Sequence, residues 1–254
     1  MKIAALQMDI AWHDRQANYA KVRKFVKKAK EAGSDLLILP EMFSTGFSID
    51  TSITVESLNG DTPEFLRSIA RENSINVIGG LVLSRYSGGP QNVSLAIDRK
   101  GNDVALYAKT HLISILDEDT SYESGDRPVT FNLDGISMGC FICYDLRFPE
   151  LFRAVVDRCM LIIVIASWPD ARQGHWETLL KARAIENQCY VIGVNRVGEG
   201  GGYSFIGSSA IIDPSGEAIA EGREKETLLV AEIDPEKVRE IRSTYPFLKD
   251  IRQF

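Results

Sequence analysis

The 254-residue chain lacks three features, each of which would indicate a particular class of protein. It has no apolar run approaching the ~20 residues that a membrane-spanning helix needs. It has no basic excess, since 29 Lys and Arg face 35 Asp and Glu and the formal net charge is −6. Its first residues form a strand pattern with no signal-peptide cleavage site. We therefore expect a cytoplasmic protein that binds neither a membrane nor a nucleic acid.

Cysteine is also scarce. Four cysteines in a chain of this length cannot form the disulfide scaffold of a small secreted domain, and in a reducing compartment one of them can serve chemistry. Cys140 and Cys143 have CxxC spacing, but a zinc site would need two more ligands, and Cys159 and Cys189 form no second pair. A redox CxxC usually opens a helix, whereas Cys140 falls inside a strand pattern. Metal or redox binding is thus a minor alternative, and we expect neither a metal nor a cofactor.

The chain does contain alternating strand-like and helix-like segments, in a composition typical of globular proteins. Residues 18–32 place apolar side chains along one helical face and end at Gly33. Asp61 is predicted to be the N-cap of a second helix, with Glu64 in its first turn. A third helix is predicted at residues 176–187, a short one near Pro149 and a last one after Asp234. Strands are predicted at residues 3–7, 36–39, 77–83, 93–97, 104–107, 136–142, 161–166, 191–195 and 227–233.

The order of these segments predicts the fold class. No low-complexity linker or change of composition divides the chain, so we expect a single domain over residues 1–254. Several strands are apolar on both faces, as strands covered on both sides are. This pattern favours an α/β fold in which two mixed sheets pack face to face and helices cover their outer faces, a four-layer α-β-β-α sandwich. Periodicity alone also allows a single doubly wound sheet.

Three polar residues follow the ends of apolar strands: Glu41, Lys109 and Cys143. Ligands gather beyond the carboxyl ends of strands in sheets that helices cover, so a carboxylate, an ammonium and a thiol could meet there. Each residue alone has an ordinary explanation, as a helix start, an exposed charge or a small core residue. A sharp strand-to-helix turn, however, would expose Cys143 near a helix N-terminus, where the helix dipole and an ammonium favour the thiolate.

The segments around these three residues resemble the signatures of the nitrilase, or carbon–nitrogen hydrolase, superfamily. The matching segments are Leu39-Pro40-Glu41-Met42-Phe43, Tyr107-Ala108-Lys109-Thr110-His111-Leu112, Cys143-Tyr144-Asp145-Leu146-Arg147-Phe148-Pro149-Glu150 and Arg183-Ala184-Ile185-Glu186-Asn187. The resemblance spans essentially the whole chain and is nearest to the omega-amidases. It implies a small-molecule amide substrate, namely the omega-amide of a dicarboxylate such as 2-oxoglutaramate, 2-oxosuccinamate or succinamate. It also implies a homodimer, to which residues 148–156 and 247–254 could contribute.

The resemblance implies a role for each residue of the site. Glu41 would be the general base, Cys143 the nucleophile that forms a thioester, and Lys109 an oxyanion stabiliser together with the backbone N–H of Tyr144. Many members of the family have a second glutamate several residues before a Gly-Asp. Here Glu118 precedes Gly125-Asp126 at that spacing, and Glu123 fits it less well. The segment after Leu112 departs from the commoner Phe-Asp ending of the lysine motif.

The remote end of a dicarboxylate substrate requires a cation. Arginine suits a carboxylate because its guanidinium can donate two parallel hydrogen bonds. Arg147 and Arg172 are the candidates, each with an internal salt bridge as the alternative. Trp168 is predicted either to wall the substrate pocket or to pack in the core, whereas Phe43 and Trp176 are predicted to be core residues. Nitriles, N-carbamoyl amino acids and aliphatic amides are alternative substrates, because relatives with these activities use the same catalytic residues.

Overall fold

Two mixed β-sheets form the centre of the molecule in the computed structural model, which describes residues 1–252. The strands are β1 (Lys2–Gln7), β2 (Leu36–Ile38), β3 (Val55–Glu56), β4 (Asn76–Leu83), β5 (Gln91–Ile97), β6 (Asp103–Ala108), β7 (Thr130–Leu133), β8 (Ile136–Ile142), β9 (Leu161–Ala166), β10 (Tyr190–Asn195), β11 (Val197–Gly200), β12 (Tyr203–Ile206), β13 (Ala210–Ile212), β14 (Ala218–Glu221) and β15 (Thr227–Glu232). The first sheet has the order β15-β1-β2-β4-β5-β6, with β3 paired to β4, and the second has the order β14-β13-β10-β9-β8-β7.

Each sheet has a parallel centre and antiparallel edges. In the first sheet β1, β2 and β4 are parallel, and in the second β8, β9 and β10 are parallel. Parallel neighbours need long crossover connections, which here contain the helices. The helices are α1 (Arg15–Glu31), α2 (Thr51–Thr54), α3 (Asp61–Asn73), α4 (Glu118–Ser121), α5 (Pro149–Arg153), α6 (Gln173–Asn187) and α7 (Pro235–Thr244).

The two faces of the first sheet pack against different layers. Along β1, Ile3 and Ala5 join a core shared with the second sheet, whereas Ala4 and Leu6 join a core formed with α1 and α3. Successive side chains of a strand point to opposite faces, so this alternation places one sheet between the helices and the other sheet. On the outer side of the second sheet, α6 packs through Trp176 and Leu180, which belong to the same apolar cluster as the strands of that sheet.

These contacts confirm the predicted four layers, with two mixed sheets face to face and helices outside. The strands 136–142 and 161–166 have the predicted bounds, and the other predicted elements differ by a few residues at their ends. The N-cap prediction for Asp61 is wrong. Gly60 caps α3 instead, and the Glu56 carboxylate accepts the Thr62 N–H that an N-cap side chain would otherwise bind.

A separate two-stranded ribbon, β11 and β12, was not predicted because its Gly-Glu-Gly-Gly-Gly sequence resembles a loop. Its two strands pair with each other outside the large sheets. The turn predicted at Asp213-Pro214-Ser215-Gly216 connects β13 to β14. Among residues 1–252, no helix is both long and apolar enough to cross a bilayer.

Candidate active site

Glu41, Lys109 and Cys143 lie together beyond the ends of β2, β6 and β8. Lys109 is fully buried, and its Nζ lies 3.0 Å from Glu41 Oε1. The same Nζ lies 2.9 Å from both carboxylate oxygens of Glu118, which is also fully buried. The structure thus brings together all four residues for which the sequence suggested catalytic roles.

Glu41 is held in place by a close approach of two backbone segments. Gly80 in β4 lies so near that a Cβ on it would be 2.7 Å from the Glu41 Cα, so only glycine fits there. The Ser167 N–H donates to Glu41 Oε2 over 2.8 Å. With Lys109 on Oε1, both oxygens of the carboxylate have a donor, and the side chain has a fixed orientation.

Glu118 is fixed by the segment that follows the lysine. Its Oε2 accepts a hydrogen bond from the Ile113 N–H over 2.8 Å. The Gly125 N–H donates to the Lys109 carbonyl, and a Cβ on Gly125 would collide with the Ala108 carbonyl oxygen. The absence of a side chain at Gly125 therefore lets the segment after Glu118 pack directly against the end of β6, next to Lys109. Glu123 is exposed and lies beside the glycines at positions 88 and 89.

Cys143 occupies a strained turn at the end of β8. Its φ is +47°, in the left-handed region that residues with a Cβ seldom adopt. A 3₁₀ turn, Cys143–Arg147, follows directly, and α5 begins only at Pro149. The N–H groups in the first turn of a helix lack acceptors within the helix. The Tyr144 N–H, second in this turn, is thus available to a substrate oxygen.

Two buried polar residues that the sequence analysis did not single out support this set: Asn92 contacts it directly, and Asp145 binds residues that flank it. Asp145 Oδ2 accepts hydrogen bonds from the Tyr107 hydroxyl (2.7 Å) and the Ile142 N–H (3.1 Å). Its Oδ1 accepts from the backbone N–H (2.9 Å) and Nδ1 (3.0 Å) of His111. Tyr107 and His111 flank the lysine, so this carboxylate ties the lysine segment to the cysteine turn.

The environment of Cys143 differs from the sequence-based expectation of a stabilised thiolate. Burial and the negative charge of Glu41 raise the pKa of the Cys143 thiol well above its ordinary value, outweighing Lys109 and the Ser167 N–H, which lower it. Burial alone would lower the pKa of Lys109, but Glu118 and Glu41 raise it above its ordinary value. The expectation was wrong because it counted the helix dipole and the ammonium but neither burial nor Glu41. The resting site holds a neutral thiol beside a carboxylate that can accept its proton.

The Glu41→Gln variant is expected to separate two effects of this carboxylate. Turnover falls by about 10²–10⁴ because the general base is lost. The pKa of Cys143 moves downward, because a negative charge that raised it is gone while Lys109 remains. The midpoint of iodoacetamide alkylation against pH should then shift to lower pH by about one to three units. Alkylation rates followed by mass spectrometry of the intact protein measure this shift.

Glu123→Gln is the matched control, since it removes an exposed carboxylate from the same segment as Glu118. It should leave both turnover and the alkylation profile unchanged. An alkylation midpoint in Glu41→Gln that stays fixed or moves to higher pH would contradict the assigned charge balance.

A narrow cavity leads to these groups. Lys109, Cys143 and Ser167 lie at its polar end. Its other lining residues are Phe47, Ile113, Leu116, Tyr144, Arg147, Trp168, Pro169, Arg172, Tyr203 and Phe205. Tyr203 and Phe205 come from the β11–β12 ribbon, so the element that the sequence did not predict closes one side of the cavity.

Both candidate arginines line this cavity, and among residues 1–252 neither has a carboxylate within 4.0 Å. The Arg147 guanidinium stacks 4.7 Å from the Trp168 ring centroid, and its Nη2 lies 3.3 Å from His175 Nδ1. Trp168 is buried, and its Nε1 donates to the Arg172 carbonyl. Trp168 thus both packs in the core and lines the cavity, whereas Phe43 and Trp176 are fully buried core residues as predicted.

Cys140, the other half of the CxxC spacing, is buried within β8. Residues 1–252 contain no group of three or more His, Cys, Asp or Glu side chains arranged to hold a metal ion. Asp145 and His111 are tied to each other and to the backbone, as described above.

The arrangement of a buried Glu–Lys–Glu set beside a strained cysteine turn agrees with the comparison with known families. The sequence model of the carbon-nitrogen hydrolase family matches residues 2–243. The chain belongs to the carbon-nitrogen hydrolase family. Its sequence is similar to 2-oxoglutaramate amidase of Bacillus subtilis, with 34% identity over 99% of this chain and 97% of that protein. It is also similar to omega-amidase YafV of Escherichia coli K12, with 35% identity over 100% of this chain and 98% of that protein.

Solved structures show the same fold as this carbon-nitrogen hydrolase. XC1258 of Xanthomonas campestris, a CN-hydrolase superfamily protein with an arsenic adduct in its active site, has a TM-score of 0.94 and 33% identity, covering 100% of this chain and 98% of that chain. A mutant of the amidase of Nesterenkonia sp. AN1, in which acrylamide has added to the active-site cysteine, has a TM-score of 0.86 and 25% identity, covering 97% and 98%.

Proposed function

We propose that this carbon-nitrogen hydrolase is an omega-amidase, which releases ammonia from the terminal amide of a dicarboxylate mono-amide such as 2-oxoglutaramate, 2-oxosuccinamate or succinamate. The observation that carries the proposal is a cavity lined by Lys109 and Cys143, with Glu41 bound to Lys109 behind it, and by two arginines that have no carboxylate partner among residues 1–252. The names of the Bacillus and Escherichia relatives agree with this substrate class.

The proposed first half of the reaction forms a thioester. The Cys143 sulfur attacks the amide carbon while Glu41 accepts the thiol proton. Lys109 Nζ and the Tyr144 N–H donate to the oxygen as it becomes negative, and one such donor is typically worth about 10²–10³ in rate. The carbon–nitrogen bond then breaks as Glu41 returns its proton to the nitrogen, and ammonia leaves.

The second half hydrolyses the thioester. Glu41 takes a proton from a water molecule, the resulting hydroxide attacks the thioester carbon, and the same two donors hold the oxyanion. The proton on Glu41 returns to the sulfur as the carboxylic acid leaves. Glu118 shares the ammonium of Lys109 with Glu41, so Lys109 keeps one carboxylate partner while Glu41 carries the transferred proton.

A substrate screen tests the proposed activity. Ammonia release is compared for 2-oxoglutaramate, succinamate, N-carbamoyl-β-alanine and a simple aliphatic nitrile. We expect the two omega-amides to have kcat/KM values well above the other two compounds. A higher kcat/KM for the carbamoyl compound or the nitrile would assign the protein to a different activity within its family.

Arg172 and Arg147 are proposed to bind the free carboxylate of the substrate. Replacing either by Gln should raise KM for succinamate about tenfold or more, since a charge-assisted hydrogen bond is worth roughly 1.5–3 kcal/mol. The same variants should hardly change kcat/KM for butyramide, which has no carboxylate. Arg85→Gln, on an exposed loop, is the control for loss of charge. An equal loss on both substrates would show that the arginines support the cavity wall and do not read the carboxylate.

We further propose that the single domain is cytoplasmic and forms a homodimer. A reducing compartment would keep Cys143 as the thiol that the reaction uses. Ile185, Tyr245 and Phe247 are each more than half exposed, and Gln188 at the end of α6 donates to the Tyr245 carbonyl, so these apolar side chains lie in one region of the surface. The apolar residues Leu151, Phe152, Val155 and Val156 of segment 148–156 are buried in the chain's own core, which leaves α6 and residues 245–251 as the better contact. Gln253 and Phe254 lie outside the described residues. Sedimentation of the wild type and Phe247→Glu should give a dimer and a monomer.

A further inference from the structure

Asn92 contacts both carboxylates of the site. It is the second residue of β5 and is fully buried. Its Nδ2 lies 2.8 Å from Glu41 Oε1 and 3.0 Å from Glu118 Oε1. A primary amide carries two hydrogens on nitrogen, so one can be donated to each carboxylate.

The orientation of this amide follows from the charges around it. Turning it over would place the carbonyl oxygen against two carboxylate oxygens, which only accept hydrogen bonds. The Oδ1 atom is buried and finds no donor among residues 1–252, so Nδ2 makes all the hydrogen bonds of this side chain there. The Asn92 backbone carbonyl accepts the Lys109 N–H over 2.9 Å. One residue therefore touches Glu41, Glu118 and Lys109.

The hydrogen bonds of Glu41 identify the oxygen that can take a proton. Oε1 accepts from both Asn92 Nδ2 and Lys109 Nζ, which together occupy its two lone pairs. Oε2 accepts only from the Ser167 N–H, which leaves one lone pair free. The Ser167 N–H also lies beside Cys143, so Oε2 is on the thiol side of the carboxylate.

We infer that Asn92 is a positioning residue for the hydrolysis: by donating one hydrogen to Glu41 and one to Glu118 it fixes the orientation of both carboxylates and directs the transferred proton to Glu41 Oε2. The inference rests on the proposed function in that it assigns Glu41 as the base of that reaction. The amide holds two like charges close together without adding a charge of its own, which a second ammonium would do.

The charged and titratable groups around the amide are few. They are Glu41 after β2, Glu118 in α4, Lys109 after β6, Cys143 after β8 and Tyr122 after α4. Among them Lys109 is the one cation, so loss of the Asn92 donors leaves two carboxylates to share one ammonium. Protonation of one carboxylate then occurs at a higher pH, and the base is lost to the reaction at that pH.

The test compares Asn92→Ala and Asn92→Asp with the wild type in the complete protein. In Asn92→Ala the acid limb of kcat/KM should move to higher pH by about one unit, and kcat should fall about ten- to a hundredfold with little change in KM. Asn92→Asp keeps the volume of the side chain and adds a third acidic group, so its acid limb should move further. Asn92→Asp carries the test if Asn92→Ala does not fold.

A second readout needs no substrate. Carbon-13 NMR of proteins labelled at the glutamate carboxyl carbon follows the ionisation of Glu41 and Glu118, whose signals are assigned with Glu41→Gln and Glu118→Gln. Both signals should titrate at higher pH in Asn92→Ala than in the wild type. Asn76→Ala is the matched control, because Asn76 is a buried asparagine of the same sheet that donates to Asp134 and lies away from the site.

The outcomes separate this inference from the proposed function. If the wild type hydrolyses no omega-amide but the carboxyl signals shift as expected, the role of Asn92 is supported and the proposed activity fails. If activity falls equally at every pH and the carboxyl signals keep their wild-type midpoints, Asn92 merely supports the fold and the inference is overturned. A shift of the same size in Asn76→Ala would overturn it as well.

Discussion

The Cys143→Ala variant should release no measurable ammonia from any amide and should still fold. The proposed reaction passes through a bond to sulfur, and removal of the nucleophile from a covalent hydrolase can cost about a millionfold in kcat. The Cys143 side chain lines the cavity, so its loss enlarges an existing space and leaves little unfilled core. The left-handed backbone at this position is equally strained with alanine, which also has a Cβ. Ammonia release and thermal unfolding of the same preparation measure the two effects.

Cys140→Ala provides the control for this experiment. Cys140 lies three residues earlier in the same strand, but it is buried in the core shared by the two sheets. Its replacement should lower the melting temperature by a few degrees and leave kcat near the wild-type value. If the CxxC spacing marked a redox or metal site, both cysteines would be needed, and Cys140→Ala would lose activity as Cys143→Ala does. A near-normal rate in Cys143→Ala would rule out the thioester mechanism.

The sequence located the catalytic groups because each follows an apolar strand. Glu41, Lys109 and Cys143 come directly after strands whose bounds the apolar patterns predicted to within a few residues. The carboxyl ends of strands that face each other in packed sheets meet in one place, so three residues distant in sequence could be expected to converge. The motif resemblance added Glu118, which no pattern of apolar residues would have singled out.

The protonation state of the cysteine could not be predicted in this way. It depends on burial and on Glu41, and both come from elements that are far apart in the sequence. Asn92 was missed because the predicted strand began at Val93, although an asparagine at the start of an apolar strand is unusual enough to be a signal. The β11–β12 ribbon was missed because five residues of glycine and glutamate carry no strand pattern, and its role depends on a cavity that exists only in the folded chain.

The Lys109→Ala variant should lose turnover and much of its stability together. The motif resemblance predicts that this variant is inactive but still folded. In the structure Lys109 is fully buried between Glu41 and Glu118. Removal of one partner from a buried ionic group typically destabilises a protein by about 3–5 kcal/mol, since it leaves uncompensated buried charge. The pKa of Lys109 lies above its ordinary value of 10.5, so the ammonium is present below that pH and is lost only as the pH rises through the raised pKa.

Denaturant unfolding measures the loss of stability, and ammonia release measures the loss of turnover. Two further variants separate the causes of these losses. Lys237→Ala breaks the ion pair with Asp213, whose lysine is partly exposed, and should cost no more than about 1 kcal/mol with activity retained. Adding Glu118→Gln to Lys109→Ala removes one of the two unpaired carboxylates, so part of the lost stability should return while turnover stays absent. Recovery of stability without recovery of activity would show that the lysine does two separable things: it neutralises buried carboxylates in the folded protein and stabilises the oxyanion during the reaction. A Lys109→Ala protein as stable as the wild type would contradict the buried Glu–Lys–Glu set itself.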